Sequence, residues 1–337
     1  MHWILTEWSQ VPPQPHVVTI GNFDGVHRGH QYLLEAVKAR ARDLHAHSLV
    51  ITFDPLPPEV LAPDRAPRRL TLTEHRVRLI RQCGIERVLL VRFDLAFASL
   101  SAEDFIERLA TATHPVEIVV GDDFHFGRNR SGNPTLLRHQ APRYGFQVSV
   151  VSRVGQESTT ISSTAIRRAI AAGDVRTAWE LLGRPHALIG SVIPGAGRGS
   201  QLGFPTANLA VFDRLILPAD GIYATVARVR STWYPAITYV GSRPTFPGAG
   251  HATEVYLLAD AVPPLRDETL TVYLVDRLRP DQAFSSVHDL IEQMQEDERR
   301  ARQRLASIMA VWPPPAVSAL HEPSDEELPI DGTPERA

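Results

Sequence analysis

Two histidines and three glycines follow the first apolar stretch of this sequence. Val17–Ile20 leads into Gly21-Asn-Phe-Asp-Gly-Val-His-Arg-Gly-His30, and residues with helical spacing come next. Glycine lets a backbone approach a ligand closely, and a helix start offers free N–H groups and the positive end of its dipole. His27 and His30 are three residues apart and share one face of that helix start. The pattern predicts a binding site for a polyphosphate.

The residues assigned to this predicted phosphate site are Gly21, Phe23, Asp24, Gly25, His27 and His30. Two other interpretations stay open on the residues alone. The histidines could be ordinary polar residues at a helix start. They could also bind a metal ion, but no third ligand is evident nearby.

A second helix start, Ile161-Ser-Ser-Thr-Ala-Ile-Arg167, is rich in hydroxyl groups. Ser163 and Thr164 can cap a helix beside its free N–H groups. Arg167 lies one turn further on and can donate two hydrogen bonds to phosphate oxygens. A plain cap with a surface arginine is the alternative. Together with the His loop, the segment predicts a second phosphate site.

The second half contains a glycine-rich loop, Pro194-Gly-Ala-Gly-Arg-Gly-Ser-Gln-Leu-Gly-Phe-Pro-Thr-Ala-Asn208. It fits neither the P-loop nor the dinucleotide-binding pattern, and a mobile hairpin is the alternative. Thr206 and Asn208 point the same way in an extended chain, and their oxygens are hard ligands that suit Mg²⁺. The predicted ATP-binding residues are Gly197, Arg198, Gly203, Pro205, Thr206 and Asn208, of which Thr206 and Asn208 are the predicted metal ligands.

A single carboxylate, Glu254, lies in the predicted strand Ala252–Leu258. An unpaired buried charge is costly, so this residue needs a partner or a chemical task. Phosphorylation of a hydroxyl needs a general base within hydrogen-bonding reach, and Glu254 is the candidate for it. A salt bridge with an arginine at the barrel rim is the alternative.

Short runs of β-branched residues alternate with helical stretches in the first half. The alternation predicts a parallel α/β sheet of the Rossmann-like kind, in which ligands bind beyond the carboxyl ends of the strands. Helices are expected from Thr73 and from a cap at Ser101. The predicted strands are Val17–Ile20, Ser48–Phe53, Arg87–Phe93, Glu117–Val120 and Gln147–Val151, and the closing helices are Ser163–Ala172 and Val175–Leu182.

The second half reads as strands separated by Gly and Pro turns, which predicts a mostly antiparallel β-sandwich or barrel. A helix follows from about Ser286 to Met309. The predicted strands are Ala187–Ile193, Ile222–Arg230, Ala236–Val240, Ala252–Leu258 and Leu270–Asp276. We therefore expect domains over 1–183 and 184–312, and a disordered tail rich in proline and acids over 313–337.

The composition narrows the class of protein. A chain of 337 residues suits two domains, and a net charge of −3 gives no sign of a nucleic-acid partner. Lys38 is the single lysine, so arginine, histidine and backbone N–H groups must bind phosphate. One cysteine, no signal peptide and no long apolar run predict a cytoplasmic protein without a membrane partner. Nothing predicts an oligomeric state.

The first half resembles the nucleotidylyltransferase superfamily, specifically its FAD synthetase branch. The resemblance rests on G-x-F-D-G-x-H-x-G-H, Thr52-Phe-Asp-Pro-Leu-Pro, Val119-Val-Gly-Asp-Asp-Phe-His-Phe-Gly127 and Ile161–Arg167. It implies that the phosphate of FMN attacks the α-phosphorus of ATP and that pyrophosphate leaves. Asn22 and Asp123 would then contact nucleotide or flavin, although some relatives carry Asn in place of Asp123.

The second half resembles the riboflavin kinase domain through G-R-x4-G-F-P-T-A-N, Gly221-Ile-Tyr and Thr253–Leu258. That implies binding of MgATP by the glycine-rich loop, Glu254 as the base and Arg279 on the flavin side. One departure concerns residues 259–268, where the family's D-x-Y-G segment near the flavin is replaced. The replacement puts riboflavin recognition in question.

The two resemblances imply the prokaryotic bifunctional riboflavin kinase/FMN adenylyltransferase family, with riboflavin, FMN and ATP as substrates, FMN and FAD as products, and Mg²⁺. A single-activity FMN adenylyltransferase with a regulatory or binding second domain is the alternative. A flavin or nucleotide sensor would leave Glu254 without a task. A transferase for another phosphorylated acceptor would explain the His loop but not the second half.

Overall fold

A computed structural model of the protein describes residues 3–152, 155–156, 159–195, 199, 202–242, 252–318 and 320. The chain forms two compact units. The first comprises Met1–Pro67, Thr71–Ser162 and Ala319–Ala337, and the second comprises Arg68–Leu70 and Ser163–Ser318. This division by packing places the two helices before residue 183 with the second unit, whereas the domain boundary predicted from the motifs is 183/184.

The first unit contains a sheet of six parallel strands in the order β1-β4-β3-β2-β5-β6. The inner strands bury nearly every residue, as expected for strands covered on both faces. The parallel sheet and the five predicted strands are confirmed, and the two-residue β1 was not predicted. The strands are β1 Ile4–Leu5, β2 His16–Ile20, β3 His47–Asp54, β4 Arg87–Arg92, β5 Pro115–Gly121 and β6 Gln147–Val151, and a separate hairpin pairs β7 Gly155–Gln156 with β8 Thr159–Thr160.

Helices connect these strands. The predicted cap at Ser101 is present, since its hydroxyl accepts from the Asp104 N–H at 3.0 Å. The helix from Pro134 to Tyr144 was not predicted; it contains Pro142 close to its end. The helices of this unit are α1 Arg28–Asp43, α2 Pro57–Leu61, α3 Thr73–Gln82, α4 Leu95–Ala98, α5 Ala102–Thr113 and α6 Pro134–Tyr144.

The strand order reverses at β2. The chain goes from β2 to β3 and β4 on one side, and β5 and β6 lie on the other side. Ligands of open parallel sheets bind at such a switch point, beyond the carboxyl ends of the strands. The loops after β2 and β5 leave the sheet at this point, and they carry the predicted residues Gly21–His30 and Asp123.

The second unit contains a closed antiparallel barrel of six strands in the order β10-β13-β12-β11-β14-β9. The barrel core includes Leu188, Tyr223, Val240 and Val272, each fully buried. The predicted barrel is confirmed, but its strand β10 was not predicted as a strand. The strands are β9 His186–Ile193, β10 Thr206–Val211, β11 Gly221–Val229, β12 Thr232–Gly241, β13 Ala252–Leu257 and β14 Thr269–Pro280.

The second unit also contains helices α7 Ser163–Ala171, α8 Val175–Leu182, α9 Val287–Met309 and α10 Pro315–Ser318. α9 packs Ala301 and Leu305 against Ile222 and Val275 of the barrel. Short α10 lies at the start of the segment predicted to be a disordered tail. Its Val317 is fully buried, and Leu320 is packed in the first unit. Residues 319 and 321–337 lie outside the described residues.

A buried histidine, His16, lies at the amino end of β2, away from the switch point. Its Nδ1 donates to the Thr113 carbonyl at 2.8 Å, and its side chain is fully buried. Burial lowers the pKa of His16 from 6.5 to about 4, and the nearby charge of Arg87 acts in the same direction. The folded protein therefore favours the neutral imidazole.

We expect the free energy of unfolding to fall in mild acid partly because of His16. Its folded pKa of about 4 lies below the unfolded value of 6.5, so its contribution is present above pH 6.5 and is lost as the pH falls toward 4. His16→Gln should make this decline shallower in urea unfolding followed between pH 7 and pH 4. His139→Gln, at an exposed site, is the matched control. Identical slopes for wild type and His16→Gln would contradict the assignment.

Candidate functional site

The loop after β2 has an unusual backbone. Phe23, Gly25 and Val26 adopt φ angles of 49°, 86° and 38°. Positive φ is rare for residues with a Cβ and is most unfavourable for a β-branched residue such as Val26. Phe23, Asp24 and Val26 are nevertheless buried, with exposed fractions of 3% or less. The loop is a fixed, strained turn that delivers the chain to the start of α1.

His27 and His30 lie together at that helix start. The Nδ1 of His27 accepts from the His30 N–H at 3.2 Å, so His27 is the N-cap of α1. The two imidazole rings are stacked with centroids 3.6 Å apart. Burial lowers the pKa of His30 well below its usual value, and His27 lowers it further. His30 is therefore a neutral imidazole at neutral pH.

His30 Nδ1 is buried and makes no hydrogen bond within the described part of the chain. A buried polar atom without a partner carries a cost and calls for an explanation. A ligand at the positive end of α1 would supply one. The predicted grouping of the two histidines at the helix start is thus present.

The other predicted residues of the first unit lie around the same end of the sheet. The Asp24 carboxylate is turned inward, where it accepts from the Thr71 N–H at 3.1 Å. Asn22 is exposed, and its carbonyl accepts from the Thr52 hydroxyl at 3.2 Å. Asp123 is exposed in the loop after β5, where its carbonyl accepts from His125 Nδ1 at 2.8 Å.

An aromatic cluster beyond strands β3, β4 and β5 was not predicted. Phe53 and Phe93 pack edge to face at 5.6 Å, and Phe124 stacks on Phe126 at 5.3 Å. Such rings offer stacking surfaces for a planar ligand. The sequence signal was an aromatic residue at or just after the end of each strand. The members of the cluster are Phe53, Phe93, Phe97, Phe105, Phe124 and Phe126.

The predicted phosphate residues Ser163, Thr164 and Arg167 belong to the second unit. Ser163 is the first residue of α7, and Thr164 follows it on the surface. The Nε of Arg167 donates to the Arg68 carbonyl at 2.7 Å. Their assignment to phosphates stays a prediction.

Three predicted residues of the barrel lie on one face of two paired strands. Asn208 on β10 lies opposite Glu254 on β13. The Thr206 hydroxyl donates to the Glu254 carboxylate at 3.0 Å. Ala207 and Leu209, which alternate with these residues along β10, point into the core. Two hard oxygen donors and a carboxylate are therefore adjacent, as phosphoryl transfer from MgATP requires.

Glycines let the preceding loop run against these side chains. A Cβ at Gly195 would lie 1.8 Å from Asn208 Nδ2, and a Cβ at Gly199 would lie 2.8 Å from Thr206 Oγ1. A Cβ at Gly199 would also lie 2.4 Å from the Phe204 carbonyl oxygen, so the backbone would have to move to accept it, whereas at Gly195 the Asn208 side chain would have to turn away. Gly203 adopts a φ of 87° at the turn before exposed Pro205. Gly197 and Arg198 lie outside the described residues.

Arg279 is held by a buried ion pair. Its Nη2 lies 2.8 Å from the Asp297 carboxylate of α9, and its Nε donates to the same carboxylate at 2.9 Å. Asp297 is only 3% exposed, and the guanidinium also lies 5.6 Å above the ring of Phe284. In this geometry Arg279 joins β14 to α9. Its predicted contact with flavin remains a prediction.

Removal of Asp297 should strongly destabilise the second unit. Asp297→Ala leaves the Arg279 charge buried without its partner, which typically costs about 3–5 kcal/mol. The neighbouring Glu296, in an exposed pair with Arg299, is the matched control, because exposed pairs contribute little. Chemical unfolding should separate the two variants. Similar midpoints for Asp297→Ala and Glu296→Ala would contradict the prediction.

The described residues contain neither a cluster of metal-binding side chains nor a helix that could span a membrane. They contain no group of three or more His, Cys, Asp or Glu side chains that could hold a metal ion. Nor does any described helix have the length and apolar character needed to cross a bilayer.

The first unit is a parallel sheet with the loop of His27 and His30 at its switch point. The second unit is a closed barrel with Thr206, Asn208 and Glu254 on one face. Together they define a two-domain transferase that uses nucleotides. Family comparison agrees for each part. The FAD synthetase model matches residues 9–165, and the riboflavin kinase model matches residues 182–305. The chain belongs to the bifunctional riboflavin kinase/FMN adenylyltransferase family.

Individual relatives cover nearly the whole chain. The bifunctional riboflavin kinase/FMN adenylyltransferase of Escherichia coli K12 is 39% identical over 297 residues, which are 88% of this chain and 94% of the relative. The Pseudomonas fluorescens protein of the same name is 39% identical, over 85% and 92%. A crystal structure described as a macrolide-efflux protein from Streptococcus pneumoniae superposes with a TM-score of 0.80 at 34% identity, over 89% of this chain and 98% of that one.

Proposed function

We infer that this protein makes FAD from riboflavin in two ATP-dependent steps. The barrel unit phosphorylates riboflavin to FMN, and the other activity joins AMP from ATP to FMN and releases pyrophosphate. Both family domains are present, and the relatives are named for both activities. The observation that carries the proposal is the placement of Thr206, Asn208 and Glu254 on one face of the barrel, beside a loop whose glycines at 195 and 199 lie against these side chains.

The barrel residues have distinct roles in phosphorylation. Glu254 accepts the proton of a ribityl hydroxyl while that oxygen attacks the γ-phosphorus and ADP leaves. The hydrogen bond from Thr206 orients the carboxylate before substrate arrives. General bases of this kind typically contribute about 10²- to 10⁴-fold.

The donor set fits Mg²⁺. The Thr206 hydroxyl and the Asn208 amide are neutral hard oxygen donors, and Mg²⁺ takes its remaining ligands from phosphates and water. A bound Mg²⁺ would neutralise charge on the β- and γ-phosphates. Gly195, Gly199 and Gly203 give the backbone the close approach that phosphate binding needs.

In adenylyl transfer, an oxygen of the FMN phosphate attacks the α-phosphorus of ATP, and the bond to the β-phosphate breaks. We assign His27 and His30 to the triphosphate, together with the N–H groups of the loop and of α1. A neutral His30 donates a hydrogen bond to phosphate, while the helix dipole supplies positive potential. Ser163, Thr164 and Arg167 are assigned to phosphates as well, and Asn22 and Asp123 to nucleotide or flavin.

The aromatic cluster beyond β3, β4 and β5 supports binding of a flavin by the first unit. An isoalloxazine ring is planar and apolar on its faces, and Phe93, Phe97 and Phe124 are only partly buried.

We place the reactions in the cytoplasm, where ATP and a reduced Cys83 are expected.

The alternative is a single-activity FMN adenylyltransferase whose barrel only binds or regulates. The Thr206–Glu254 hydrogen bond favours a working base over that reading. Incubation with riboflavin, ATP and Mg²⁺, followed by chromatography, decides between them. We expect FMN to form first and FAD to follow. If riboflavin is not converted to FMN, the single-activity alternative stands.

Glu254→Gln should reduce FMN formation from riboflavin by about 10²- to 10⁴-fold, because the amide cannot accept the hydroxyl proton. Conversion of added FMN to FAD should continue at the wild-type rate. Glu180→Gln on the exposed face of α8 is the matched control. Equal loss of both reactions in Glu254→Gln would refute the separation of sites.

His30→Ala should show the opposite pattern. FAD formation from FMN should fall by about 10²- to 10³-fold, the usual effect of removing one transition-state donor. Riboflavin phosphorylation should persist, as measured by FMN accumulation. His139→Gln again serves as control, and normal FAD synthesis by His30→Ala would remove this histidine from the mechanism.

A further inference from the structure

The strained turn Phe23–Val26 needs an external support. Unfavourable φ angles persist in a folded protein only where the surroundings fix them, and such strain concentrates at functional sites. Within the turn, the Val26 N–H donates to the Phe23 carbonyl at 3.0 Å. That bond alone does not determine the conformation of Asp24 and Gly25 between them.

Thr71 holds both of these residues, although it lies 47 positions from Asp24 in the sequence. Its N–H and its hydroxyl donate to the Asp24 carboxylate at 3.1 and 3.3 Å. Its hydroxyl oxygen also accepts from the Gly25 N–H at 3.1 Å. One hydroxyl therefore acts as donor and acceptor at once, which a methyl group in its place cannot do.

Burial makes these hydrogen bonds matter. Asp24 is 3% exposed and Thr71 is 8% exposed. A buried carboxylate or N–H that loses a partner carries its full desolvation cost, so the turn would rearrange to recover one.

We propose that Thr71 is a positioning residue for adenylyl transfer. It acts through Asp24 and Gly25 and holds the turn that places His27, His30 and the first N–H groups of α1. The proposal rests on the proposed adenylyltransferase function, but it concerns a residue outside the histidine and glycine motif. It also gives Asp24 a role as the buried anchor of the loop.

The test measures FAD formation from FMN and ATP by the full chain. Thr71→Val keeps the shape of the side chain and removes the hydroxyl, and kcat should fall about 10- to 100-fold, as expected for a displacement of about 1 Å in a reacting group. The KM for FMN should change little. Riboflavin phosphorylation by the same preparation should stay at the wild-type rate and reports that the second unit is folded.

Thr71→Ser and Thr71→Ala form a second pair, which differ from each other only by the hydroxyl. Serine should restore most of the wild-type kcat, and alanine should match valine. Thr113→Val is the structural control, because it removes another buried hydroxyl of the first unit, bonded to the Leu109 carbonyl at 2.8 Å and remote from the turn. That variant should lower the unfolding midpoint without lowering kcat.

Three results would overturn the proposal: a normal kcat in Thr71→Val and Thr71→Ala, a serine variant as slow as alanine, or an equal loss of kcat in Thr113→Val. Absence of FAD formation by the wild-type chain is a different outcome. It would refute the adenylyltransferase function itself, and it is read from the wild-type sample alone.

Discussion

Strand β10 pairs with β9 on one side and with β13 on the other, and these two pairings close the barrel. Without β10 the sheet would have two open edges, and closure removes them. Its side chains alternate, so Ala207 and Leu209 fill the core while Thr206 and Asn208 face Glu254. A slip of one residue would exchange the two sets. The stability of the barrel and the geometry of its site are therefore fixed by the same register.

In the first unit, the geometry of the site is fixed by backbone conformation rather than by strand register. Lys38 is the single lysine, and it pairs with Glu35 at 2.5 Å on α1, where it is not part of the loop. In the proposed function, phosphate is bound instead by the positive end of a helix, by hydrogen bonds from two histidines and by a turn whose φ angles are held by buried hydrogen bonds. Such a site gains precision because it is built before the ligand arrives, and strain in Phe23 and Val26 is the cost.

The sequence predicted those parts that are encoded locally. Runs of β-branched residues predicted the parallel sheet, and the spacing of Thr206 and Asn208 predicted that their side chains lie on the same face. What it did not predict arises from contacts distant along the chain. Thr206 and Glu254 are 48 positions apart, and Thr71 bears no local sign that it would bind Asp24. Strand β10 was not predicted because it follows a glycine-rich loop, and α6 was not predicted because it contains Pro142.

Residues 259–268, which replace the family's D-x-Y-G segment, have a backbone that is fixed near the end of the loop. Asp267 adopts a φ of 64°, a left-handed conformation that glycine adopts without strain. The loop is also fixed at its end, because the Asp267 N–H donates to the Val192 carbonyl and Glu268 pairs with Arg230. Within this fixed loop, Leu265 packs against the barrel core and so contributes to the stability of the second unit, whereas Arg266 is exposed to solvent.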